Sequence, residues 1–140
     1  MDIDECLEKG YLSREKVTTD LIEKEIKEGK YDLEKARKAF RDEDYKWTII
    51  KCYYSMFHSA KAVCFKLGYR EKRHFAVLIV LENLNKEGKL EIKFVNNFSA
   101  SISSRENADY RYVYSKERAE ESLRITKEFN SRMLQLLKSL

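Results

Sequence analysis

The chain has 140 residues, 43% of them apolar and 37% charged, a size and balance that predict one globular domain over residues 1–140. The absence of proline and the presence of only four glycines exclude an all-β fold built on tight turns. A net charge of +4 and a pI near 8.8 are too mild to mark a dedicated nucleic-acid binder on their own.

The periodicity is helical nearly throughout. Ser13 is suited to cap a first helix, whose stripe is Val17, Leu21, Ile22 and Ile26 and which ends near EGK at 28–30. Leu33, Ala36, Arg37 and Phe40 give helical spacing over 31–41, and Gly29 leaves open whether these are two helices or one bent one. A third helix is predicted from Tyr45 to Leu67, ahead of Gly68 as its C-terminal stop. It is apolar nearly all round, so it is expected at the centre of the fold with one face meeting a second copy of the chain. After the basic turn Arg70–Arg73 come a helix over about 75–85 and another over about 92–104. Ser115 caps a last helix with the stripe Ala119, Leu123, Phe129, Met133 and Leu136. The fold class expected is all-α, an up-and-down bundle of four to six helices.

Cys6, Cys52 and Cys64 are odd in number and form no CxxC. On one helix, Cys52 and Cys64 would stand about 18 Å apart along the axis, too far for a disulfide. They read as reduced thiols of a cytoplasmic protein. No apolar run reaches the roughly 18 residues of a membrane span, and MDIDECLEKG lacks the features of a signal peptide. There is no glycine-rich phosphate loop and no His/Cys ligand pattern, so neither a metal nor a cofactor is expected.

Two histidines remain as candidates for proton transfer. His58 follows Tyr54 by one turn on the central helix. Its plain reading is a partly buried imidazole bonded to a neighbour, and its functional reading is a base that needs a second group from elsewhere. His74 opens the fourth helix beside Arg73 and the rest of a basic turn that is either a solvated loop or an anion site. The densest polar stretch is RENADYRYVY at 105–114. Arg105 suits forked contacts with phosphate or carboxylate, and Asp109, four residues on, suits an ion pair with it.

Three stretches, CYYSMFHSAKAVCFKLG (52–68), KRHFAVLIVLENL (72–84) and SSRENADYRYVYSKERAEESLRITKEFNSRM (103–133), together resemble the small stand-alone prokaryotic branch of the HEPN superfamily. The resemblance covers roughly residues 30–135. It implies a helical bundle, usually a homodimer, that pairs with a small nucleotidyltransferase as a toxin–antitoxin module. Many members are metal-independent ribonucleases in which an Arg steadies the phosphate and a His four to six residues further on moves protons. Arg105 matches that Arg. It is followed by the acidic Glu106, and Tyr110, Arg111 and Tyr112 stand where the His would be. The resemblance therefore implies an interaction module that binds nucleotide or RNA through Arg105, Asn107, Asp109, Tyr110, Arg111, Tyr54, Arg73 and His74. Arg105 and Asp109 would brace the bundle, with Tyr110 packed against the central helix near Tyr54 and His58. The alternative is a ribonuclease in which Arg105 clamps phosphate and His58 replaces the missing base.

Overall fold

The computed structural model describes residues 1–140 as six helices and one two-stranded antiparallel sheet. In chain order they are α1 (Ile3–Glu8), β1 (Leu12–Arg14), α2 (Thr19–Arg41), α3 (Tyr45–Lys66), β2 (Tyr69–Glu71), α4 (Phe75–Lys86), α5 (Ile92–Tyr110) and α6 (Lys116–Ser139). The all-α bundle expected from the periodicity is the one observed.

Short polar side chains set the helix starts. Thr18, Asp44 and Ser115 each accept a hydrogen bond from a backbone N–H of the first turn of α2, α3 and α6. Gly68, at φ +86°, takes the left-handed position just beyond α3, which a β-carbon would strain. α2 is a single helix through Gly29. It begins at Thr19, and Ser13 lies instead in β1, which pairs with β2 so that Leu12 faces Glu71. This long-range strand pair and α1 have no counterpart in the periodicity of the sequence. They bring Cys6 and Leu12 into the main core.

α3 is the axis of the molecule. Thr48, Ile49, Cys52, Tyr53, Met56, Ala60, Val63 and Cys64 are among its buried residues, and α2, α4, α5 and α6 pack round it. Its apolar circumference is thus covered within one chain, so it supplies no argument for a second copy. Phe98 of α5 stacks on Phe129 of α6 with centroids 5.8 Å apart, both fully buried. No helix is long and apolar enough to cross a membrane. Burial pushes the Cys52 thiol up to about 12 and the Cys64 thiol higher still, which keeps both protonated and unreactive.

α2 and α3 make the closest helix pair. A β-carbon at Gly29 would stand 3.0 Å from Ser59 Oγ and 3.2 Å from the Ser55 carbonyl oxygen. The Ser55 hydroxyl donates to the Gly29 carbonyl at 2.6 Å and accepts from Asn130 Nδ2 at 2.8 Å, which ties α2, α3 and α6 together.

Candidate functional site

α5 runs on to Tyr110, so RENADY forms its last turns rather than a connection, and only residues 111–115 link it to α6. The helix end is locked by Asn107. Its carbonyl accepts from the N–H groups of Arg111 and Val113, and its Oδ1 accepts from Arg111 Nη1 at 3.0 Å. Asn107 and Arg111 are therefore committed to each other.

Within that frame Arg105 points at α3. Its Nη2 donates to the Tyr54 hydroxyl at 3.2 Å and lies 3.4 Å from Asp109 Oδ2. The guanidinium carbon sits 5.7 Å from the Tyr54 ring centre and 5.3 Å from that of Tyr110. A planar cation held against two rings keeps its fork oriented, and arginine hydrates weakly enough to be held so. Its Nε is buried with no acceptor. The expected Arg105–Asp109 brace is present. Tyr110 differs from expectation: it is 66% exposed and meets the bundle through Arg105, not by packing on α3.

His74, just ahead of α4, belongs to the same neighbourhood. Its Nδ1 is 2.9 Å from the Tyr53 hydroxyl, and its ring stacks on Phe57 with centres 4.2 Å apart. Tyr53 in turn meets the Tyr54 ring edge to face at 5.1 Å. His74 is exposed at its outer edge, yet the face on Phe57 is desolvated. That desolvation, helped by the positive charges of Arg105, Lys61 and His58 and opposed by Glu71, holds His74 below the usual histidine value. Burial pushes the Tyr53 hydroxyl up to about 12, so it stays a neutral partner.

His58 turns toward α2. Its Nδ1–H donates to Glu25 Oε2 of α2 at 2.6 Å, and its Nε2 lies 3.6 Å from Asp32 Oδ2. Lys61 extends the row, 3.6 Å from Glu25 and 3.0 Å from Glu71. The hydrogen bond to Glu25, with the Glu25 and Asp32 charges, raises His58 above the usual histidine value against the cost of burial. A carboxylate at each nitrogen favours the protonated imidazole and occupies both ring nitrogens, which works against a role as general base. The bonds of His58 thus run to Glu25 and Asp32 of α2, and those of Arg105 to Tyr54 and Asp109. The basic edge is also partly spent: Arg70 pairs with Glu15 at 3.0 Å, which leaves Arg73 exposed beside His74.

These placements have opposite pH signatures. His58 is raised on folding, so its contribution to stability is complete below about pH 6.5 and is lost as pH rises through its folded value. His74 is depressed, so it costs stability as pH falls below about 6.5. Urea midpoints of the wild type, His58→Ala and His74→Ala between pH 5 and 9 separate them. His58→Ala is expected to lose the decline on the alkaline side, and His74→Ala the decline on the acid side.

None of the main clefts is lined by Arg105. The one beside the α5–α6 link is lined by Asn107 and Arg118 but also by Glu117 and Glu121, which disfavours phosphate. Tyr53, Trp47 and Lys46 belong to no motif that singles them out in the sequence. The only signal was a basic and aromatic start to the central helix, YKW at 45–47, followed by Lys51.

A family model described as HEPN domain matches residues 22–136. The chain is 28% identical over 90 residues to the protein named "Putative toxin MJ0142" of Methanocaldococcus jannaschii. That match covers 64% of this chain and 61% of the relative.

Proposed function

Because this chain belongs to the HEPN domain family, we propose that it is the nucleotide- or RNA-gripping member of a toxin–antitoxin-like pair, working as an interaction module with a nucleotidyltransferase-type partner and a second copy of itself. The observation that carries the reading is Arg105, its guanidinium against the Tyr54 and Tyr110 rings and its Nη2 bonded to the Tyr54 hydroxyl, with Nη1 left without a protein partner to meet a phosphate. The toxin named among its relatives supports the pairing. Tyr54, Tyr110, Arg73 and His74 flank the grip, and Asn107, Asp109 and Arg111 shape the helix end that presents it.

A second reading, metal-independent RNA cleavage, is favoured by one observation. His74 is anchored at Nδ1 by Tyr53 and is held neutral in the field of Arg105. In the tautomer that donates from Nδ1 to Tyr53 Oη, the Nε2 lone pair is free to take the proton of an attacking 2′-hydroxyl. His74 then replaces His58 as the candidate base.

Incubation of the protein with total RNA in EDTA, beside His58→Ala, His74→Ala and Arg105→Ala, decides between the readings. Intact RNA in every lane is expected. Cleavage by the wild type that fails in His74→Ala and Arg105→Ala but persists in His58→Ala overturns the binding-only reading in favour of the second.

A further inference from the structure

Trp47 and Tyr112 are large apolar rings left facing solvent, 44% and 74% exposed. One ammonium spans them: Lys46 Nζ lies 6.0 Å from the Trp47 ring centre and 5.7 Å from that of Tyr112. Lys51 adds a second cation 5.7 Å from Trp47. Neither lysine has a carboxylate within ion-pairing distance. Of the acids just before α3, Asp42 pairs with Lys38 and Asp44 accepts from the Trp47 N–H, while Asp32 lies close enough to Lys51 to feel its charge. The cleft that runs on from Trp47 is lined by Lys35, Lys38 and Lys51 and also by Asp42 and Asp44, so the phosphate contacts of the surface rest on the lysines beside the rings and not on the cleft.

Tyr112 holds its position at a cost. Its φ is +56°, a conformation that a residue with a bulky side chain seldom adopts, and the Asn107 lock on either side of it fixes the backbone there. Nothing in the packing of the bundle uses the ring that this strain presents. A ring put forward by strain, beside a second exposed ring and two unpaired ammonium groups, matches the needs of stacked bases with phosphates between them.

We propose that Trp47 and Tyr112, with Lys46 and Lys51, form a platform for single-stranded nucleic acid, separate from the Arg105 grip. Bases stack on the two rings and the lysines meet the connecting phosphates. Duplex hides its base faces, so it cannot use the rings. An acidic protein segment would use the lysines and ignore the rings. The platform extends the Arg105 reading without depending on it.

Trp47 is the only tryptophan in the chain, so its emission reports on the platform alone. The probes are a mixed-sequence single-stranded 12-mer of RNA, the same sequence as duplex, and polyglutamate. The expected result is saturable quenching by the single strand and none by the other two. Tyr112→Gly, which relieves the left-handed backbone and so folds, is expected to weaken the single-strand affinity at least fivefold with helicity unchanged. Arg105→Ala is expected to weaken affinity while leaving the quench at saturation intact. No quenching by the single strand, equal quenching by duplex or polyglutamate, or an unchanged affinity in Tyr112→Gly overturns the platform. If Arg105→Ala has no effect while Tyr112→Gly weakens binding, the Arg105 reading falls and the platform stands.

Discussion

Arg105→Ala is expected to lower the affinity for single-stranded RNA roughly ten- to a hundredfold, because a charge-assisted hydrogen bond to phosphate is worth about 1.5–3 kcal/mol. The same change should flatten the salt dependence of binding by about one unit of logarithmic slope, the mark of one lost phosphate contact. Arg105→Lys restores the charge but not the fork, and an ammonium cannot lie flat between Tyr54 and Tyr110. It should therefore recover the salt slope and only a minor part of the affinity. Filter binding at two or three salt concentrations measures both. Full recovery in Arg105→Lys would mean that charge alone matters and that the two rings do no orienting.

Gly29→Val is the largest expected stability effect. The added β-carbon alone meets Ser59 Oγ at 3.0 Å and the backbone oxygen of Ser55 at 3.2 Å. The serine hydroxyl can turn away, but the carbonyl cannot, so α2 must back off α3 and the hydrogen bond from Ser55 to Gly29 lengthens. Overpacking of this kind costs roughly 2–3 kcal/mol, which in a chain of this size lowers Tm by roughly 8 °C. Gly29→Ala has two opposing parts: alanine is about 1 kcal/mol the better helix former, and the same two contacts resist it. Removing the Ser59 hydroxyl relieves one of them, so Gly29→Ala with Ser59→Ala should melt above Gly29→Ala alone. Thermal melts of the three variants check this.

What was legible in the sequence was what is local. Apolar periodicity identified α3, α4 and α6, Ser115 marked the start of α6, and Gly68 the end of α3. Gly29 could not be resolved as a break or a passage, because its reason is a neighbouring helix and not its own. The β1–β2 pair was not legible because three-residue strands carry no period and their partners are far apart in the chain, Ser13 opposite Arg70 and Leu12 opposite Glu71. α5 continues to Tyr110, past the end its apolar stripe marks, because Ala108 is the one buried residue of SSRENADY and the last turns are held by Arg105, Asp109 and Tyr54. The site was legible in part for the same reason. Arg105 and its i,i+4 partner Asp109 could be read from spacing, whereas the capture of His58 by Glu25, 33 residues away, could not. Nor could the outward set of Tyr112, which depends on one backbone angle.

The grip at Arg105 is tested most directly by comparing a nucleotide with its nucleoside. Calorimetric titration with adenosine monophosphate and with adenosine, on the wild type and Arg105→Ala, isolates the phosphate. The account predicts that the wild type binds the monophosphate more tightly than adenosine, and that the difference disappears in Arg105→Ala. A wild type indifferent to the phosphate, or a preference that survives the loss of Arg105, would contradict it.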